Sequence, residues 1–267
     1  VRIETNERLV QRNRRLANYL FLFSMAILIG GFIIANTQLN SRDQTAFALA
    51  LILPWLVLPI GFIATMTSIR MTNLWVRKPR PEDAILANLK GLSRKSALYN
   101  YYHFPARHVL ITPQGVFTIT TRFQEGTFTV DGDKWKTRGG AFGAFLRFFR
   151  RDDIGNPTAD ALKQAAHVQK YIEPIAPEVK VQPLVVFIDP RANLDIHNPT
   201  VPVLYADTRK EPNLKDYLRD IARQQEPAPE PVKKKPGAKA KSVEKPKSNA
   251  LPAEEIAEAF EEATLKR

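Results

Sequence analysis

Two stretches near the N-terminus lack the polar face that a water-exposed helix carries. Residues 16–41 contain no charged side chain, and neither do residues 44–69. Residues 17–36 would measure about 30 Å as a helix, the thickness of a bilayer core. Residues 46–66 are equally apolar and include Pro54 and Pro59, which predict a kinked second helix of a kind membranes tolerate. Two buried core helices are the competing reading, but such helices rarely run over 20 residues without a charge. A signal peptide fits poorly, because its apolar region is shorter and a second span follows at once. The connection, residues 37–45, is short enough for a tight helical hairpin. Ala26, Gly30, Gly31 and Ala35 supply small residues at four-residue spacing for close helix contact.

Beyond Arg80 the periodicity changes to that of a globular α/β domain. Pro81 with Glu82 and Asp83 makes a helix start, and Ile85, Leu86, Leu89 and Leu92 then share a face. Residues 109–112 and 116–121 are β-rich and are separated by Pro113-Gln114-Gly115, a hairpin signal. Residues 126–130 and 134–137 flank Asp131-Gly132-Asp133 in the same way. A helix over 158–172 follows Asn156-Pro157, then strands at 181–188 and 201–205 and a closing helix over 214–222. The expected order is α-β-β-β-β-α-β-β-α. The fold class is α/β, one mixed sheet flanked by helices, preceded by two transmembrane α-helices.

Charge sets the direction of the hairpin. The chain of 267 residues has 39 Lys+Arg and 27 Asp+Glu, a net charge of +12, with most of the excess outside residues 81–222. A basic balance of this kind does not establish a nucleic-acid-binding domain. Arg12, Arg14 and Arg15 flank the first span, and Arg70, Arg77, Lys78 and Arg80 follow the second, while the hairpin loop has Arg42 offset by Asp43. The positive-inside bias places both termini in the cytoplasm and makes the protein a multi-pass component of the cell membrane. Neither span contains an ionisable residue, so a proton relay or ion pathway is not expected and the helices read as an anchor. The absence of Cys removes disulfides, thiolate zinc sites and cysteine nucleophiles. His103, His108, His167 and His197 show no metal-ligand spacing, and His108 reads as a strand residue.

The run from His108 through Val109-Leu110-Ile111-Thr112-Pro113-Gln114-Gly115 to Arg122 resembles the central hairpin of the nuclease-related domain family, NERD. Further similarities follow in order: Glu82 at the head of an amphipathic helix, Trp135 in the next hairpin, Asn156-Pro157 opening a helix that contains Gln164, then Val185-Val186-Phe187 and residues 201–204. The resemblance covers about residues 80–222 and implies a restriction-endonuclease-like fold. It also implies a metal site on one face of the hairpin: an Asp just before the His, a Glu on the next strand, and a Lys two residues beyond it. Those positions hold Arg107, Thr120 and Arg122. Metal-assisted phosphodiester cleavage needs convergent carboxylates, and an Arg stays protonated where the Lys would stand.

A degenerate, non-catalytic member is the favoured expectation, with no cofactor. The alternative is an active metal-dependent nuclease, using Mg²⁺, whose acids have moved, with Glu82, Glu125 and Asp131 as candidates. A third possibility is a different register, or an unrelated role for the domain. If Pro113 and Gln114 are the two loop residues, Arg107 lies opposite Thr120, and Thr120 and Arg122 share a face. Arg107 and Arg122 would then form an anion-binding pocket for an anionic polymer such as nucleic acid. Two solvated surface arginines, or a protein partner, are the competing readings.

Three segments complete the expected organisation: a basic N-terminus at 1–16, a basic juxtamembrane stretch at 70–80, and a tail. Residues 141–151 are apolar with a basic end and could lie on the membrane or pack on the sheet. Residues 223–250 are rich in Pro and Lys, are expected to be a disordered linker, and could touch anionic lipid or nucleic acid. Residues 251–267 form a short acidic amphipathic helix with Ile256, Phe260 and Leu265 on its apolar side. Reporter fusions placed after Arg80 and within residues 37–44 are expected to report opposite sides of the membrane, with the fusion after Arg80 cytoplasmic.

Overall fold

The computed structural model describes residues 1–39, 44–138, 154–225 and 252–264. The apolar insert at 141–151, all but the first residues of the 223–250 linker, and the hairpin tip around Arg42 and Asp43 lie outside them.

A short strand, β1 (Arg2–Thr5), precedes the first long helix, α1 (Glu7–Leu39). The Asn6 side chain caps α1 by accepting from Leu9 N at 3.1 Å. The second, α2 (Gln44–Trp75), continues through both Pro54 and Pro59. Both helices are long and apolar enough to cross a membrane, and only 11% of each apolar window is buried. Core helices of a soluble domain would be mostly covered, whereas here Phe32, Trp55 and Ile63 are 70%, 82% and 64% exposed. The two helices meet at glycines. A Cβ on Gly31 would stand 2.6 Å from Val57 Cγ1, and one on Gly61 2.8 Å from Leu28 Cδ2. Gly30 faces open space, so of the two adjacent glycines only Gly31 serves the contact.

The domain proper continues with α3 (Pro81–Asn88), β2 (Ala97–His103), β3 (Ala106–Thr112), β4 (Gly115–Arg122), β5 (Gly126–Asp131) and β6 (Lys134–Arg138). Then come α4 (Pro157–Ile172), β7 (Val181–Phe187), β8 (Ala192–His197), β9 (Val203–Tyr205), α5 (Leu214–Gln225) and α6 (Ala253–Thr264). Six strands form one mixed sheet in the order β1-β2-β3-β4-β7-β9, and three form a second in the order β6-β5-β8. Every strand and helix expected from the sequence between residues 81 and 222 is present.

Three strands were not expected, and two sheets replace one. β2 has almost every residue buried, so it lacks the period-two alternation that betrays a half-exposed strand. β1 falls within the expected basic N-terminus and pairs parallel with β2, Arg2 to Ala97 through Thr5 to Asn100. β8 alternates but is short, and it pairs parallel with β5 rather than joining the main sheet.

The main sheet is covered on both faces. On one, Leu98, Leu110, Phe117 and Leu184 pack against Ile85 of α3, Leu89 just after it, and Leu214 and Leu218 of α5. On the other, Tyr99, Val109, Ile111 and Val116 meet Ala165, Val168 and Ile172 of α4 and Ile256, Ala257 and Phe260 of α6. The acidic C-terminal helix is thus docked by its apolar face, and Glu261 binds both Arg2 and Tyr99 Oη. A third cluster, with Phe128 and Phe187, joins the small sheet to the large one.

His103 is buried under α6, its ring centroid 4.2 Å from that of Phe260 and 6.2 Å from that of Tyr171. Burial, with His167 adding to it, pushes its imidazole down to about 4. A base held below its unfolded value of about 6.5 binds more protons once uncovered. Docking of α6 is therefore strongest above pH 6.5 and weakens as pH falls towards 4, by an order of 1–2 kcal/mol at pH 5. With the intrinsic pH dependence of exchange divided out, amide protection in Ala253–Thr264 is expected to fall between pH 7 and 5, and His103→Phe is expected to flatten that dependence.

Candidate anion-binding site

The β3–β4 register decides which side chains converge. Val109 pairs with Thr118, Leu110 with Phe117, Ile111 with Val116 and Thr112 with Gly115. Pro113 and Gln114 are therefore the two loop residues. The pairing ends at Val109 and Thr118, and Arg107 and Thr120 stand two residues beyond it on their strands. Val109 and Ile111 face α4, and by the period of two Arg107, Thr120 and Arg122 point to that same side.

There the sheet, α4 and α2 enclose a cavity of about 400 Å³. Arg107, Thr120 and Arg122 line it from the hairpin, Gln124 from the strand's exit, Asp160 and Gln164 from α4, and Arg70 from α2. α4 can contribute because Asn156 caps it, accepting from Ala159 N at 3.0 Å, with Pro157 in the first turn. Asp160 and Gln164 are four residues apart and so share one helix face.

The balance of charge in the cavity is positive. Asp160 binds Arg122 at 2.5 Å, and it is the only carboxylate lining the cavity among the described residues. Arg70 and Arg107 have no carboxylate partner among those residues. Burial lowers the Arg107 pKa from its ordinary value; Arg122 and Arg70 act in the same direction, while Tyr101 and Asp160 oppose them. The guanidinium nevertheless remains charged at neutral pH. Several polar atoms at the cavity are buried without a hydrogen-bond partner: Thr120 Oγ1, Arg122 Nε, Gln124 Oε1 and Gln164 Oε1. Buried polar groups are normally satisfied, so a cluster of orphans in one cavity calls for partners there, water or a ligand.

The remaining sequence candidates stand elsewhere. Glu82 is buried behind the sheet's edge, where it accepts from Tyr101 Oη at 2.7 Å and pairs with Arg80 Nε at 3.2 Å. Tyr101 reaches it from a β-bulge and has a left-handed φ of 66°. Glu125 pairs with Arg191 at 2.5 Å. Asp131 lies in the small sheet, opposite Lys134 and His197. No group of three or more His, Asp or Glu that could hold a metal ion occurs among the described residues. His108 is buried in β3, its Nδ1 2.8 Å from Asn100 Oδ1 and its Nε2 without a partner.

Sequence reasoning did not place Arg70, Asp160 or Gln124 at the site. Arg70 reads as one of several basic residues flanking a span, and Asp160 stands in the first turn of α4, where an acid suits the helix dipole. The four-residue spacing of Asp160 and Gln164 was the available signal.

These observations define an α/β domain of mixed sheets, with a basic cavity against its central hairpin and two long apolar helices before it. Residues 80–188 match the model of the NERD family, described as a nuclease-related domain. The match spans the hairpin and every cavity residue just named except Arg70. No curated protein and no solved structure matches the chain.

Leaving the largely buried Arg107 guanidinium without a carboxylate partner costs stability. Arg107→Met is expected to stabilise the full chain by about 1–2 kcal/mol, seen as a raised melting temperature in detergent. Asp160→Ala, which removes the one counter-ion, is expected to lower it.

Proposed function

We propose that the chain is a membrane-anchored nuclease-related domain that binds a phosphate-bearing ligand in the arginine cavity without cleaving it. The observation that carries this reading is the set of three arginines, Arg70, Arg107 and Arg122, opposed by Asp160 alone. The unpartnered Thr120 Oγ1 and Arg122 Nε supply further donors for phosphate oxygens. α1 and α2 act as the anchor, with both chain termini on the cytoplasmic side. This orientation follows from the basic flanks of the two spans.

The cavity does not fit the divalent metal of a cleaving enzyme. Mg²⁺ takes hard oxygen ligands, chiefly carboxylates, and needs them unneutralised. The positions implied for two acids and a Lys hold Arg107, Thr120 and Arg122, and the one acid nearby is already bound to Arg122. At about 4 Å and an effective dielectric near 20, each arginine would oppose a divalent cation by about 8 kcal/mol, roughly 4 kcal/mol for each of its two charges. Relocation of the acids finds no support either, since Glu82, Glu125 and Asp131 have separate partners in separate places.

The full chain in detergent, supplied with Mg²⁺ or Mn²⁺, is expected to leave DNA and RNA intact. Anion binding is expected to fall steeply with salt and to weaken at least about tenfold in Arg107→Ala plus Arg122→Ala. Metal-dependent cleavage that disappears in Glu82→Ala would overturn the proposal in favour of a working nuclease.

A further inference from the structure

The depth of the cavity relative to the apolar part of α2 identifies its ligand more closely, given the anion-binding reading above. Arg70 is the cavity arginine that lies outside the family match, and it belongs to the same unbroken helix as the second apolar stretch. The apolar run of residues 46–66 is about 31 Å long as a helix, and Arg70 stands four residues further on, about 6 Å along the axis. The headgroup layer is roughly 5–8 Å deep on each side of a 30 Å core. Arg70 therefore sits at headgroup level.

The first helix gives the same level independently. α1 and α2 run antiparallel through the contacts of Gly31 with Val57 and Gly61 with Leu28. Nine residues further along, this pairing sets Arg70 at the same level along the helix axes as Tyr19, which is 67% exposed. Tyrosine is enriched at that interface because its ring is apolar and its tip polar. The cavity cannot drift from this level, because α2 runs on to Trp75, whose ring lies 5.1 Å from that of Tyr101 in the domain.

The charge of the cavity narrows the chemistry. Arg122 is already matched by Asp160, which leaves the two charges of Arg70 and Arg107. A terminal phosphomonoester carries close to two negative charges at neutral pH, since its second pKa is about 6. A phosphodiester carries one, and a zwitterionic headgroup has no net charge. From depth and charge together we infer that the cavity receives the terminal phosphomonoester of a membrane-lipid headgroup, held by Arg70, Arg107 and Arg122.

The test is calorimetry on the full chain in neutral detergent micelles, with four probes: dioctanoyl phosphatidic acid, dioctanoyl phosphatidylcholine, inorganic phosphate and a short single-stranded DNA. Phosphatidic acid is expected to bind at least about tenfold more tightly than the other three. Arg70→Ala is expected to weaken it about tenfold. Asp160→Asn is expected to tighten it severalfold, a gain that misfolding cannot produce. Inorganic phosphate binding as tightly as phosphatidic acid, with equal loss in Arg70→Ala, would overturn the lipid source and leave the anion site standing. So would Arg70-sensitive DNA binding without a lipid preference. Weaker binding in Asp160→Asn would overturn the charge argument. Binding of all four probes unchanged in Arg70→Ala and in Arg107→Ala would overturn both the lipid inference and the anion site.

Discussion

A two-residue turn, Pro113-Gln114, holds the site together. It closes the Thr112–Gly115 pair and so fixes every later pairing of β3 with β4. Side chains alternate along a strand, so a slip of one residue would turn Arg107 to the face covered by α3 and α5. The core enforces the same choice. Val109, Ile111 and Val116 must meet α4 and α6, while Leu110 and Phe117 must meet α3 and α5. With both faces buried, each apolar contact on the sheet opposes the slip that would scatter the arginines.

The charge in the cavity is a consequence of that register. Arg107 and Arg122 are brought to one side by the hairpin, and α4 answers with a single acid, Asp160. A core evolved for stability alone would pair the second arginine or replace it with an apolar side chain of similar volume. The unpartnered Thr120 Oγ1 and Arg122 Nε point to the same conclusion from the hydrogen-bonding side.

The two apolar helices are not simply a tail attached to a domain. β1 precedes them and lies in the main sheet beside β2, and α3 follows them on the opposite side of the sheet from α4. The hairpin is thus inserted within the domain, between two neighbouring parallel strands. Val10, Trp75 and Tyr101 seal the junction. Arg77 adds an ion pair with Asp189 at 2.7 Å and sits over the ring of Phe123. The far end of the chain returns to the same edge, where Glu261 binds Arg2 and Tyr99. Such bracing transmits the position of α2 to the cavity and explains how a residue of an apolar helix comes to line a cavity of the α/β domain.

Residue order alone determined the features that depend on local chemistry. Uncharged runs of more than 20 residues gave the two long helices. Turn residues gave the hairpins, Asn156-Pro157 gave the start of α4, and the two-residue loop gave the register of β3 with β4. Tertiary structure decided whatever depends on contacts between distant segments. β2 was illegible because burial on both faces erases alternation. β1 was hidden because four residues carry no periodic signal. The fates of Glu82, Glu125 and Asp131 depended on partners supplied by other elements. Arg70 looked like one more flanking charge, since nothing local distinguishes it from Arg77 or Arg80. Only the packing of α2 against the sheet made it a wall of the cavity, because proximity between residues so far apart in sequence arises from the folded core and not from their spacing.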